Sequence, residues 1–169
     1  FANSVFPSTL AMASGLLAAG VNRNQILQDL YNSYRENRLR MEGYLLHENM
    51  KITPEGVAYM IVDKKLASEF DIREGETEGF VNMPLAMGKV KMSIFLKVDG
   101  NGFFRVSVRS KQGYSSNKCA TRYFHGGGHE LASGGRLFYP QDVAVWQDAA
   151  GYIERVTEEL FKEEGYYVE

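Results

Sequence analysis

The sequence predicts an α/β fold, in which a helical leading segment is followed by a small mixed β-sheet flanked by helices. Three observations carry this. Apolar residues recur at helical spacing through the first third of the chain. Two alternating runs, Val90–Leu96 and Phe103–Arg109, flank Asp99-Gly100-Asn101-Gly102, and Gly and Asn there tolerate the positive φ that a tight hairpin demands. Val145, Ala149, Ile153, Val156 and Leu160 line one face of an amphipathic stretch, Gln141–Glu163.

The elements follow in order. Ser4–Ala19 reads as a helix with Pro7 in its first turn and Gly20 as its stop. Asn22 or Asn24 caps a second helix with Ile26, Leu27, Leu30 and Tyr31 on one face. Arg35–Asn49 is a third, with Leu39, Tyr44, Leu45 and Leu46 as its apolar positions. Thr53-Pro54-Glu55-Gly56 is a turn signal. Val57–Val62 is an apolar run of β character, Lys64–Phe70 a short helix, residues 71–77 an acidic loop and Glu78–Met87 another helical piece. After the hairpin come a helix over Ser116–Phe124, a Gly-rich loop over His125–Gly135 and a last strand over Arg136–Tyr139. The sheet is expected to have four or five strands.

Composition sets further bounds. The chain has 169 residues, 44% hydrophobic and 24% charged, which suits a globular chain and not a disordered or fibrous one. The net charge of −2 conceals an uneven distribution. Residues 89–139 carry 9 basic and 2 acidic side chains, whereas residues 1–88 carry 8 and 11, and residues 140–169 carry 2 and 8. A basic middle between acidic flanks points to a local anionic partner. The acidity of the last helix reads as a solvated face. One cysteine, Cys119, rules out an intrachain disulfide; it is expected to be a buried structural thiol, although Lys118 and Arg122 nearby could lower its pKa. No apolar run approaches the ~20 residues of a membrane span, and no signal peptide is expected, so the localisation expected is cytoplasmic and without membrane contact. The chain opens on Phe1 and is expected to be a piece of something longer.

The segment richest in chemistry runs from Arg105 to Arg136. Gly126, Gly127 and Gly128 lack Cβ atoms, so their N–H groups could approach an anion closely. His129 can donate to a phosphate oxygen, and Arg109 offers a planar fork suited to phosphate. Asn117 and Ser133 can add neutral hydrogen bonds. A tight turn without ligand explains the glycines as well. His125 and His129 have the spacing of a metal pair on a helix, but triple glycine opposes a helix and no carboxylate or cysteine stands at ligand spacing. His125-Gly126-Gly127-Gly128 also matches the oxyanion string of some lipases, without the G-x-S-x-G elbow that reading needs. No P-loop string occurs. Trp146 and most Tyr and Phe side chains are expected in the core; Phe103, Phe104 and Tyr123 could instead stack bases.

The ordered series Thr77-Glu78-Gly79-Phe80-Val81-Asn82, Arg109-Ser110, Asn117, Gly126-Gly127-Gly128-His129 and Ala132-Ser133-Gly134-Gly135 resembles the C-terminal region of DHH-family phosphoesterases. The subgroup it is most similar to is the bacterial nanoRNase / 3′-phosphoadenosine-5′-phosphate phosphatase type, often labelled exopolyphosphatase-related. Arg38-Leu39-Arg40 and Gly43-Tyr44 resemble the linker between the two lobes of that family. The resemblance implies that residues 1–50 are the helical end of a catalytic lobe with its interlobe linker. Residues 51–169 would be the DHH-associated substrate-binding domain. It implies that Arg109, Asn117, Gly126, Gly127, Gly128, His129 and Ser133 bind a short oligonucleotide or nucleotide phosphate, with Glu78 and Asn82 supporting the interlobe face. The family's catalytic lobe holds two Mn²⁺ or Mg²⁺ ions on Asp-x-Asp and Asp-His-His strings, and neither occurs here; only Asp29 and His47 precede residue 63 as Asp or His. Two-metal hydrolysis needs several clustered ligands. The expectation is therefore no metal in this chain, a catalytic lobe missing on the N-terminal side, and no hydrolysis by this chain alone. A stand-alone nucleic-acid-binding module and a homodimerisation module remain the alternatives.

Overall fold

The computed structural model describes residues 5–166. The chain divides into two compact units, Phe1–Glu36 and Asn37–Glu169. In the first, α1 (Pro7–Ala18) and α2 (Arg23–Tyr31) form where expected, with Pro7 at the first helical position. Ser4, the expected start of α1, lies outside the described residues. Asn22, rather than Asn24, is the cap of α2, its side chain accepting from Gln25 N at 3.1 Å.

The second unit is built on a six-stranded sheet of order β1-β2-β3-β4-β6-β5. The strands are β1 (Lys51–Ile52), β2 (Val57–Val62), β3 (Met92–Asp99), β4 (Phe103–Ser110), β5 (Gly127–His129) and β6 (Ala132–Phe138), and the α-helices around them are α3 (Glu36–Tyr44), α4 (Lys64–Glu69), α5 (Ser116–Tyr123) and α6 (Ala149–Glu163). Only β2 and β3 run parallel; the other pairs are antiparallel. The hairpin is where the sequence puts it. Asp99 Oδ1 closes the turn by accepting from Asn101 N at 3.2 Å and Asn101 Nδ2 at 2.8 Å.

Side chains alternate across these strands, so the sheet has two faces with different fates. The back face carries Tyr59, Ile94, Leu96, Phe104, Val106, Val108 and Leu137. It is buried under Cys119, Ala120 and Phe124 of the α5 segment and Ile153, Val156, Leu160 and Phe161 of α6. The front face is covered over β2 and β3, where Met60, Val62 and Phe95 pack with Met41, Leu45, Leu66, Phe80 and Val81. Over β4, β6 and β5, among the described residues, this cluster does not extend; beside β4 the face is walled by residues 74–79 and Val81.

Several elements depart from expectation. Helix α3 (Glu36–Tyr44) runs into a π-helical turn, Leu45–Asn49. Arg38 and Met41 of α3 and Leu45 of the π-helical turn are buried, while Leu39 and Tyr44 are exposed. Through Met41 and Leu45, α3 belongs to the core of the second unit, which therefore begins before residue 51. Glu78–Met87 contains a 3-10 helix, Phe80–Ala86; Pro84 lies inside it and removes an N–H that an α-helix would use. The expected loop His125–Gly135 contains β5 and most of β6. Glycine is a poor strand former on its own, but β6 pairs with β4 along its length, from Phe103↔Phe138 to Arg109↔Ala132.

The last helix, α6 (Ala149–Glu163), begins later than Gln141. Asp142 is held in a turn: its Oδ2 accepts from Phe138 N at 2.8 Å and its Oδ1 lies 2.8 Å from His125 Nε2. Val145 and Trp146 consequently stay 50% and 40% exposed, outside the core expected for them. The acidity of α6 is only partly a solvated face. Glu154 accepts from Tyr59 Oη, and Glu163 and the C-cap residue Glu164 pair with Arg122 at 3.0 and 2.7 Å. Lys118 also pairs with Glu164 and, with Arg122, holds its carboxyl below the usual range.

Helix α5 (Ser116–Tyr123) is capped by Ser115, whose Oγ accepts from Lys118 N at 3.1 Å. The same hydroxyl donates to Glu130 at 2.9 Å. Ser115→Ala is expected to cost about 1–2 kcal/mol, the range of a lost cap, measured as a shift of the urea midpoint at unchanged slope.

Candidate functional site

The register of the sheet decides which predicted residues meet. In antiparallel pairs, opposed residues share a face. One row across the front therefore reads Ser93, Arg109, Ala132, His129. Arg109 and His129, 20 positions apart in sequence, stand in this row with one alanine between them. At roughly 4.8 Å per strand, their backbones are about 10 Å apart, a gap that two long polar side chains can close on one phosphate. The next row reads Phe95, Ser107, Gly134, Gly127, so beyond Phe95 the floor beside them is low.

Arg109 is half-buried and tethered. Its Nη1 donates to Val108 O at 2.9 Å and Ser133 O at 3.2 Å, which aims a guanidinium that has five N–H donors. It also lines a groove of about 680 Å³ with Lys97, Arg105 and Ser107 from the sheet and Glu74, Thr77 and Glu78 from the loop before the 3-10 helix. That loop is anchored by Arg38 of α3. Arg38 is buried, donates to Glu76 O and, at 2.9 Å, to Glu78 O, and lies 4.7 Å from the centre of the Phe80 ring. Glu78 thus lines the same groove as Arg109, whereas Asn82 is exposed on the 3-10 helix.

The remaining predicted residues support the loop. Ser133 is buried on the back face; its Oγ donates to His129 O at 2.7 Å and accepts from Ser116 Oγ at 3.3 Å. Asn117 Nδ2 donates to Gly128 O at 2.6 Å. Both side chains fix the strand that carries His129 from behind. The glycines divide as well. A Cβ on Gly126 would sit 1.9 Å from Gly134 O, and one on Gly128 would sit 2.8 Å from Ala132 O; on Gly127 the nearest atom, Thr121 Oγ1, is 3.8 Å away. Gly126 and Gly128 are therefore demanded by backbone packing, which explains them without a ligand.

His125 is engaged with Asp142 and packs edge-on against Phe138, so it and His129 do not form a metal pair. Among the described residues, no group of three or more His, Cys, Asp or Glu side chains could hold a metal ion. The donor set does not fit a two-metal centre. Cys119 is fully buried, and desolvation pushes its thiol up to about 12. Lys118 and Arg122, which could have lowered it, are turned to Glu164 and Glu163 instead. Six of the nine basic residues in segment 89–139 are thereby divided: Lys118 and Arg122 pair with Glu163 and Glu164 at the end of α6, while Lys97, Arg105, Arg109 and Arg136 belong to the front face.

The DHHA1 domain model matches residues 55–153 of the chain. The chain belongs to the DHHA1 family. The match spans β2 through the start of α6 and so contains the whole open face of this DHHA1 domain. Two curated relatives are similar to it. The probable bifunctional oligoribonuclease and PAP phosphatase NrnA of Streptococcus mutans is 28% identical over 130 residues, covering 77% of this chain and 41% of that protein. The bifunctional oligoribonuclease and PAP phosphatase NrnA of Bacillus subtilis is 26% identical over 138 residues, covering 79% and 42%. A crystal structure of an exopolyphosphatase-related protein from Bacteroides fragilis superposes with a TM-score of 0.84 at 34% identity, covering 96% of this chain and 46% of that one. This DHHA1 chain thus spans less than half the length of the curated relatives it matches.

Sequence reasoning missed Lys97, Arg105 and Arg136, and gave Arg38 only as part of the linker string. The i, i+2, i+4 spacing of Arg105, Ser107 and Arg109 was a readable signal for one of them. The other three are placed by register and tertiary packing.

Proposed function

We propose that this chain is the substrate-holding part of a phosphoesterase acting on short oligonucleotides or nucleotide phosphates, with residues 51–169 binding the phosphorylated end. Residues 1–50 would be the helical end of a catalytic lobe and its linker, and the rest of that lobe, with two Mn²⁺ or Mg²⁺ ions, lies outside this sequence. The observation that carries the reading is the front-face row in which Arg109 and His129 flank Ala132, within a DHHA1 family match. The names of the NrnA relatives support the substrate class.

In this reading Arg109 and His129 contact the phosphate. Asn117 and Ser133 are positioning residues that hold the His129 strand, and Gly127 leaves the floor low where a ligand can approach. In the same reading Glu78 and Asn82 support the interlobe face. Nothing in this chain performs the hydrolytic step.

The test is titration of the 169-residue chain with 5′-AMP at low salt, followed by amide chemical shifts. Arg109→Ala and His129→Ala are each expected to weaken binding about tenfold or more, the worth of one charge-assisted hydrogen bond. Binding that is absent, or unchanged in both variants, would sink the reading. So would Mn²⁺-stimulated cleavage of a dinucleotide by the purified chain, which would put a metal centre where none is expected.

A further inference from the structure

The third row of the open face is more basic than the first. Lys97, Arg105 and Arg136 are directly opposed across β3, β4 and β6. Their backbones span about 10 Å at the usual strand spacing. Like charges placed directly opposite destabilise a sheet, so this row is costly for folding alone. Its internal compensation is partial. Asp99 Oδ2 accepts from Arg105 Nε at 2.8 Å, and Arg136 lies 5.4 Å from the centre of the Phe103 ring. Among the described residues, neither hydrophobic core includes this row, and Lys97 and Arg105 line the same groove as Arg109.

We infer that Lys97, Arg105 and Arg136 form a second phosphate subsite, so that the open face takes a short 5′-phosphorylated oligonucleotide across two anion positions. This rests on Arg109 and His129 being the first. Arg105 and Arg109 are four residues apart on one strand, about 14 Å at 3.4 Å per residue. That is too long for the phosphate of a mononucleotide and suits two backbone steps of a single strand. Between the two rows lie Ser107, Gly134 and Gly127, low enough for sugars and bases to lie against the sheet. Beyond the second subsite, Phe103 and Phe138 pair at 5.6 Å on the same face, a surface on which a base can stack.

The groove also limits length. Glu74 and Glu78 stand on its loop wall, and Asp99 and Gly100 close it at the hairpin end. Carboxylates in those places repel any phosphate that is not seated over one of the two cationic rows. The arrangement selects two anion positions and rejects a continuous polyanion, which is how a face with local positive charge can favour short strands over long ones.

The experiment compares 5′-AMP with the trinucleotide pApApA on the wild-type chain and on the double variant Lys97→Ala/Arg136→Ala. The double variant is expected to weaken pApApA at least tenfold, to leave AMP within twofold, and to flatten the salt dependence of pApApA by about one to two counterions. Arg136→Lys, which keeps the charge, is expected to retain that salt slope, and thermal melting checks that each variant is folded. Equal weakening of both ligands, or no weakening of pApApA, overturns the second subsite. The first subsite is judged separately, by AMP binding to Arg109→Ala. If AMP is insensitive to Arg109 while pApApA still depends on Lys97 and Arg136, the earlier reading falls and the cationic row stands.

Discussion

Gly126→Ala is expected to destabilise the chain by about 3 kcal/mol or more, an effect reserved for a few mechanisms of which overpacking is one. The added Cβ would lie 1.9 Å from Gly134 O and 2.5 Å from Gly135 Cα. Both are backbone atoms of β6, so no rotamer change can make room. The site is also where the end of α5 is tied to the sheet: Gly126 N donates to Ala120 O at 3.1 Å, and Arg136 N donates to Phe124 O at 2.6 Å. Moving either strand to admit a methyl group would break these bonds and lift Phe124 from the back-face core. In a chain of this size the loss corresponds to about 10 °C in Tm. Gly127→Ala is the control, because its Cβ would meet nothing closer than 3.8 Å, and a change within about 1 kcal/mol is expected. Thermal melts of the two variants decide it. A Gly126→Ala protein melting within about 2 °C of wild type would mean that the backbones do not approach as closely as described.

Arg38→Ala is expected to cost about 2–4 kcal/mol and to loosen the loop that walls the groove. The guanidinium is buried and bonds the carbonyls of Glu76 and Glu78 while lying against Phe80. Removing it leaves two carbonyls without this donor and opens space beside a fully buried ring. Arg38→Met restores packing over Phe80 but neither hydrogen bond, so an intermediate loss separates the two contributions. Urea denaturation measures the stability. Amide exchange over residues 74–79 measures the loop, and should speed up in both variants if the bonds to the carbonyls hold it. Exchange unchanged in that segment would show that the loop is held by other contacts.

These two predictions share a feature with the elements that the sequence misrepresents. The hairpin was legible because its turn chemistry and its alternation are local: Asp99 through Gly102 specify a turn whatever lies around them. The helix predicted over Ser116–Phe124 forms over Ser116–Tyr123, capped locally by Ser115. The segment 125–135 was not legible. Its glycines read as a loop, since the pairing that makes Ala132–Phe138 a strand comes from β4, more than 20 residues earlier in sequence. Gln141–Glu163 was overextended because apolar periodicity cannot reveal that Asp142 is captured by Phe138 and His125. Of the apolar positions that helical spacing offers in Arg35–Asn49, Leu45 and Leu46 join the core while Leu39 and Tyr44 stay exposed, because the packing selects Met41 in their place.

The candidate site divides along the same line. Arg109, His129, Ser133 and Asn117 are named from residue chemistry and from resemblance, and they stand on β4, β5, β6 and α5. Their separate tasks depend on the pleat. An odd or even step along β4 and β6 sends Arg109 to the open face and Ser133 to the buried one, and composition alone carries no such parity across strands.

What the sequence determined by itself was the class of fold, the hairpin, most helices, the family resemblance and a basic middle that points to an anion. Each rests on local spacing, on turn residues or on an ordered string of motifs. The tertiary structure decided which of those basic residues serve the groove and which are neutralised by α6, and why Gly126 must be glycine. It also decided that the open face carries a row of three cations. These depend on strand register and on side chains meeting across the chain, where the free energy is set by neighbours distant in sequence.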